Sequence, residues 1–90
     1  MNNFILKEHL EHLHQELHTV DAVDEESKVL LSEIQADVKT LLAHKGGTPS
    51  PQHATIKDRL AESARHFDSS HPALAATIRT VVSTLNNMGI

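Results

Sequence analysis

The sequence predicts an all-α protein built as a small up-down bundle of four short helices. Apolar residues recur at intervals of three and four in four separate segments, which is the spacing of one helix face. Each segment is bounded by residues that start or stop helices. Only two of the 90 residues are aromatic, so the core must be assembled mainly from Leu, Ile, Val and Ala, a set that suits helices better than strands.

The first two helices are expected near residues 4–19 and 25–45. The first carries a narrow stripe of leucines, at Leu6, Leu10, Leu13 and Leu17. The second starts after Asp24, a residue type that caps helix N-termini, and should end near Lys45 before two glycines. Its wider apolar stripe consists of Leu30, Leu31, Ile34, Val38, Leu41 and Leu42. A flexible linker rich in Gly, Pro, Ser and Thr is predicted over 46–50.

The third and fourth helices are expected near residues 51–68 and 72–88. Pro51 suits the first turn of a helix, with Ser50 as its cap. Pro72 disfavours an α conformation at His71, so the chain should break there, with His71 or Ser70 capping the fourth helix. The apolar stripes of these helices consist of Ile56, Leu60, Ala64 and Phe67, and of Leu74, Ile78, Val81, Val82, Leu85 and Met88.

Short connections between four amphipathic helices favour an up-down-up-down bundle of about four turns per helix. The alternative is an elongated helical hairpin, with longer third and fourth helices, that dimerises. The leucine spacing also suits a coiled-coil seam, but each run covers only about two heptads.

Composition and charge argue against several function classes. The chain has no cysteine, which is typical of a reduced, cytoplasmic protein. No apolar run is long enough to cross a bilayer, and a secretory leader is not expected. The net charge is −4, and the acids are concentrated in the first half. Nucleic-acid binding needs a clustered basic face, which the four scattered cations of the second half do not form.

The C-terminal third carries a family resemblance. The segment 67–74, with the motif Ser70-His71-Pro72, and the ending Met88-Gly89-Ile90 resemble the bacterial domain-of-unknown-function 4404 family, whose members are helical proteins of about 90 residues. The similarity extends over the whole chain, although the first two helices match in pattern more than in identity. The resemblance implies a small helical protein of this layout and no catalytic activity.

Eight histidines are the unusual feature of the composition, and four of them fall on the first helix. His14 and His18 lie one turn apart, a spacing that can hold a transition metal. A stable zinc site needs three or four ligands, and no thiolate is available to complete one. We therefore predict a solvated polar face, with no cofactor and no resident metal. His14 and His18 remain the metal candidates.

The fourth helix has a surface that is poor in charge. Its only charged residue is Arg79. An ordinary solvated face is richer in Glu and Lys, so this face is expected either to contact another subunit or partner or to be covered by its own chain. Its residues are small and uncharged: Ala73, Ala76, Thr77, Thr80, Ser83, Thr84 and Asn87.

No catalytic motif is evident in the sequence. We therefore expect a non-enzymatic, cytoplasmic interaction or scaffolding module that binds a protein partner or a second copy of itself, without nucleic acid or membrane. The alternative is a metal-binding or metal-responsive protein that uses the histidine-rich first helix.

Overall fold

The computed structural model describes residues 2–20, 24–43 and 51–89, which form four α-helices. Their bounds are α1 (Asn2–Thr19), α2 (Glu25–Ala43), α3 (Pro51–Phe67) and α4 (Pro72–Asn87). The prediction of a small all-α bundle is confirmed. The predicted linker at 46–50 and the predicted end of α2 at Lys45 lie outside the described residues. No described helix is long and apolar enough to span a membrane.

The helices are arranged in a ring in which each one packs against two neighbours. The α3–α4 interface is the most extensive, followed by α1–α4 and then α1–α2, while α2 and α3 make the smallest interface. Side-chain contacts fix the directions of the helices. Ser27 at the start of α2 meets His66 at the end of α3, and Lys57 near the start of α3 meets Asn86 at the end of α4. Both pairs are therefore antiparallel, as in an up-down bundle.

The predicted apolar stripes meet in one core. One residue from each helix shows the arrangement: Leu10, Ile34, Leu60 and Ile78 are all at most 1 % exposed. Phe67 is the one aromatic side chain in this core, because Phe4 at the other end of the bundle is 70 % exposed. The remaining buried apolar residues are Leu6, Leu13, Leu17, Val38, Leu41, Ile56, Ala64, Leu74, Ala75, Val81 and Leu85.

The helix ends differ in how they are capped. Asp24 caps α2 as predicted, because its Oδ2 accepts a hydrogen bond of 3.2 Å from the Ser27 amide. His71 occupies the N-cap position of α4, but its side chain makes no capping bond. His71 is therefore the N-cap residue, as expected, through its backbone carbonyl and without help from its side chain. The His71 ring instead lies edge-on to Phe67, with 5.6 Å between the ring centroids, and its Nδ1 is 3.0 Å from the Ser70 hydroxyl.

Candidate functional site

The histidines of α1 do not form a complete metal site. The rings of His14 and His18 are in edge contact, with 4.7 Å between their centroids. Nδ1 of His18 lies 2.8 Å from the His14 carbonyl oxygen, to which it can only donate. Nδ1 of His14 is buried and has no hydrogen-bond partner within the described residues. In the described part of the chain, the one group of three ligand-type side chains that converge lies elsewhere, between α2 and α3.

The uncharged face of α4 is open to solvent. Ala73, Ala76, Thr80, Ser83 and Asn87 are exposed. Thr77 and Thr84 are half-buried at its margins. The residues that the structure describes therefore leave most of the face uncovered.

The threonine hydroxyl groups on this face are bonded within the chain. Thr80 Oγ1 donates to the Ala76 carbonyl oxygen at 3.1 Å, and Thr84 Oγ1 donates to the Thr80 carbonyl oxygen at 2.9 Å. Thr77 Oγ1 is bonded to the Ala73 carbonyl oxygen at 3.1 Å and to a carboxylate oxygen of Glu16 on α1. These threonines thus satisfy their own donors, and contact with an apolar surface would leave no hydroxyl proton unbonded.

The one charge on α4 is also paired within the chain. Arg79 Nη1 donates to Asp68 Oδ1 at 2.9 Å, across the break between α3 and α4. The hydrogen bond and the charge of Arg79 lower the pKa of the Asp68 carboxyl, and the same bond raises the pKa of Arg79. Both side chains remain about half exposed, so water screens the pair.

A polar cluster joins the start of α2 to the end of α3. Ser27 is buried, and its Oγ donates to Asp24 Oδ1 at 2.8 Å. Nε2 of His66 lies 3.1 Å from the same Ser27 Oγ, and Nδ1 of His66 lies 3.5 Å from Glu26 Oε1. The hydrogen bonds from the Ser27 side chain and backbone lower the pKa of Asp24. Glu26 and His66 line an open groove of about 570 Å³ between the two helices.

A second polar contact between α2 and α3 is an ion pair. Asp37 is buried, and Arg59 donates to both of its oxygens, with Nη2 to Oδ1 at 2.5 Å and Nε to Oδ2 at 3.3 Å. Burial raises the pKa of Asp37, although the hydrogen bond and charge of Arg59 act in the opposite direction. Both polar contacts therefore lie between α2 and α3, the helices that make the smallest interface in the ring.

Comparison with known proteins gives a family and no function. The family model described as a domain of unknown function, DUF4404, matches residues 6–90. The chain belongs to the DUF4404 family. Neither the curated proteins nor the solved structures include a match. The predicted family membership is confirmed. The function of this DUF4404 chain must be inferred from its own residues.

Sequence reasoning missed both polar contacts between α2 and α3 of this DUF4404 protein. A signal for Asp37 was present, because it follows Ile34 by three residues and precedes Leu41 by four, on the apolar stripe itself. A carboxylate at such a position needs a partner when the helix packs. The pairing of Ser27 with His66 had no comparable signal, since 39 residues separate them and no motif connects them.

Proposed function

We propose that this protein is a non-enzymatic, cytoplasmic interaction or scaffolding module that associates with a second copy of itself through the exposed face of α4. The observation that supports the proposal is the state of the polar groups on this face. Its threonine hydroxyls are bonded to the helix's own carbonyl oxygens, and its one cation is paired with Asp68. Burial of these threonines and of Arg79 would therefore leave no threonine hydroxyl donor and no charge without a partner.

A second copy is favoured as the occupant by symmetry and charge. In a two-fold dimer the same patch meets itself, so a charged patch places like charges opposite one another. The chain has a net charge of −4, and nine of its twelve acids lie in the half of the sequence that contains α1 and α2. The α4 face avoids this repulsion. Its exposed residues Ala73, Ala76, Thr80, Ser83 and Asn87 follow a three-four repeat, and their small size allows two helix axes to approach closely.

The expected dimer is weak, because the face is small. Sixteen residues at 1.5 Å per residue make α4 about 24 Å long, and a contact about 10 Å wide then covers roughly 240 Å² of each protomer. Stable interfaces cover about 800 Å² per partner, so the flanking side chains must contribute. Association should therefore depend on concentration in the range from about 10 µM to about 1 mM.

Sedimentation velocity of the tag-free protein tests the proposal. Across this concentration range the sedimentation coefficient should move from that of a 9.9 kDa monomer toward that of a dimer. The double variant Ala76→Glu, Thr80→Glu should remain monomeric, since two carboxylates per protomer would face their copies. Ser32→Glu, Ala36→Glu is the matched control, because it adds two carboxylates with the same spacing at exposed positions of α2. Equal behaviour of the two double variants would refute the choice of face.

The geometry of the Ser27–His66 contact between α2 and α3 supports the proposal that the protein is not an enzyme. Ser27 donates its hydroxyl proton to Asp24 and is 4 % exposed, so it is not a free nucleophile. The alternative function is that of a metal-binding protein that uses His14 and His18. These histidines supply two ligands on α1, and no third ligand converges with them among the described residues.

A further inference from the structure

The polar cluster of Asp24, Glu26 and His66 places three metal-ligating side chains at the seam between α2 and α3. One ligand atom from each residue lies within 4.8 Å of the others. Two are the carboxylates of Asp24, the N-cap residue of α2, and of Glu26 in the first turn of α2, and the third is an imidazole on the last turn of α3. Glu26 is 74 % exposed and His66 28 % exposed, so the cluster is accessible from the groove beside it.

The direction of the hydrogen bonds determines how the His66 ring is held. Asp24 is an acceptor, so the hydroxyl proton of Ser27 points to Asp24 Oδ1 at 2.8 Å. Ser27 Oγ then has no proton left for His66 and accepts from Nε2–H at 3.1 Å. This leaves Nδ1 of the neutral ring with a lone pair, facing a carboxylate oxygen of Glu26 at 3.5 Å.

Two acceptors that face each other repel unless a cation lies between or beside them. A second proton on His66 would satisfy this geometry, and so would a metal ion. The orientation of the ring matches metal chemistry, because a metal-bound histidine usually donates its other N–H to an oriented acceptor, here Ser27 Oγ. One nitrogen and two carboxylate ligands suit zinc and its neighbours in the transition series better than Mg²⁺ or Ca²⁺.

We propose that Asp24, Glu26 and His66 bind one divalent transition-metal ion of the zinc class, with water as the remaining ligand. The ion would tie the start of α2 to the end of α3. These helices make the smallest interface in the ring, so the ion would add a link where neighbouring helices contact each other least. This site is independent of the α4 face and of the His14–His18 pair.

Titration calorimetry of the tag-free protein with zinc, and with Mg²⁺ as the hard-cation control, tests the site. We expect one zinc ion per chain with a Kd of about 10 µM or tighter, and no saturable heat with Mg²⁺. At a hundredfold excess of zinc over the Kd, the Tm should rise by roughly 10 to 20 °C.

Variants separate this site from the histidines of α1. His66→Gln and Glu26→Gln should each weaken zinc binding tenfold or more, whereas His14→Gln, His18→Gln should leave the affinity within twofold. Far-UV circular dichroism checks that each variant is folded, and Glu26, being exposed, is the safer substitution. The proposal is overturned if zinc gives no saturable heat, or if binding survives His66→Gln and Glu26→Gln. It is also overturned if only the α1 double variant abolishes binding.

Discussion

Replacement of Arg59 by Met should destabilise the bundle by leaving the Asp37 carboxylate buried without its partner. Asp37 has 6 % of its side chain exposed, and Arg59 is its ion-pair partner at 2.5 Å. Met keeps most of the aliphatic stem that packs along α3 and removes the guanidinium group. The substitution therefore removes the charge of Arg59 while it keeps most of the packing of the side chain.

The size of the effect follows from the unequal exposure of the two partners. Breaking a fully buried ion pair costs about 3 to 5 kcal/mol, whereas fully exposed pairs contribute about 0 to 1 kcal/mol. Arg59 is 50 % exposed, so water screens it and can reach Asp37 once the guanidinium is gone. We expect a loss of about 2 kcal/mol in the free energy of unfolding at neutral pH, or roughly 10 °C in Tm for a domain of this size.

The pH dependence has a definite sign. Burial raises the pKa of Asp37 in the folded state, and loss of Arg59 should raise it further. An acid whose pKa is raised on folding lowers the stability of the folded state at high pH, where the group is charged. This loss of stability disappears as the pH falls through the folded pKa toward the unfolded value of 3.8. The deficit of Arg59→Met relative to the parent protein should therefore be largest near pH 7 and should shrink toward about pH 4.

Urea unfolding followed by far-UV circular dichroism measures this deficit, since the chain has no Trp or Tyr to report by fluorescence. Asp37→Leu combined with Arg59→Met should cost less than Arg59→Met alone, because no buried charge then remains. The reasoning is refuted if Arg59→Met lies within about 0.3 kcal/mol of the parent at pH 7, or if its deficit stays constant with pH.

Further outcomes follow from the core and from the charges. Leu60→Ala should lower the free energy of unfolding by about 2 to 5 kcal/mol, with the urea midpoint reduced and the m-value unchanged; a loss under about 1 kcal/mol would contradict its burial. Asp24 and Asp68 have pKa values lowered in the folded state, so their contribution to stability should be present above pH 3.8 and be lost as the pH falls through their folded pKa values. In urea titrations, Asp24→Ala should reduce this loss of stability in acid. A pH profile of stability equal to that of the parent protein would contradict the prediction.

The fold was predictable from the sequence because helical periodicity and burial depend on the same residues. Leu10, Ile34, Leu60 and Ile78 were placed on the inner faces by spacing alone, and all four are buried. The contacts of the His71 side chain were not predictable in the same way. Its ring could bond to the helix or pack on Phe67, and the choice depends on the tertiary position of that phenylalanine.

The polar contacts between α2 and α3 depend on how two helices are rotated against each other. Spacing within one helix shows which face is apolar, but it does not show which residue of a distant helix lies opposite. Ser27 and His66 each look like ordinary polar residues in their own segments. Their contact arises only because antiparallel packing brings the start of α2 to the end of α3. By contrast, the α4 face could be recognised without knowledge of the neighbouring helices, because its lack of charge is visible within one sequence segment.

Disulfide trapping of the α4 face tests self-association most directly. The chain has no cysteine, so Thr80→Cys introduces a single thiol at the middle of the proposed interface. Ser32→Cys places one at an exposed position of α2 as the control. With a two-fold contact through α4, Thr80→Cys should form covalent dimers under mild oxidation at least tenfold faster than Ser32→Cys. Equal rates for the two variants would show that the α4 face is not where two copies meet.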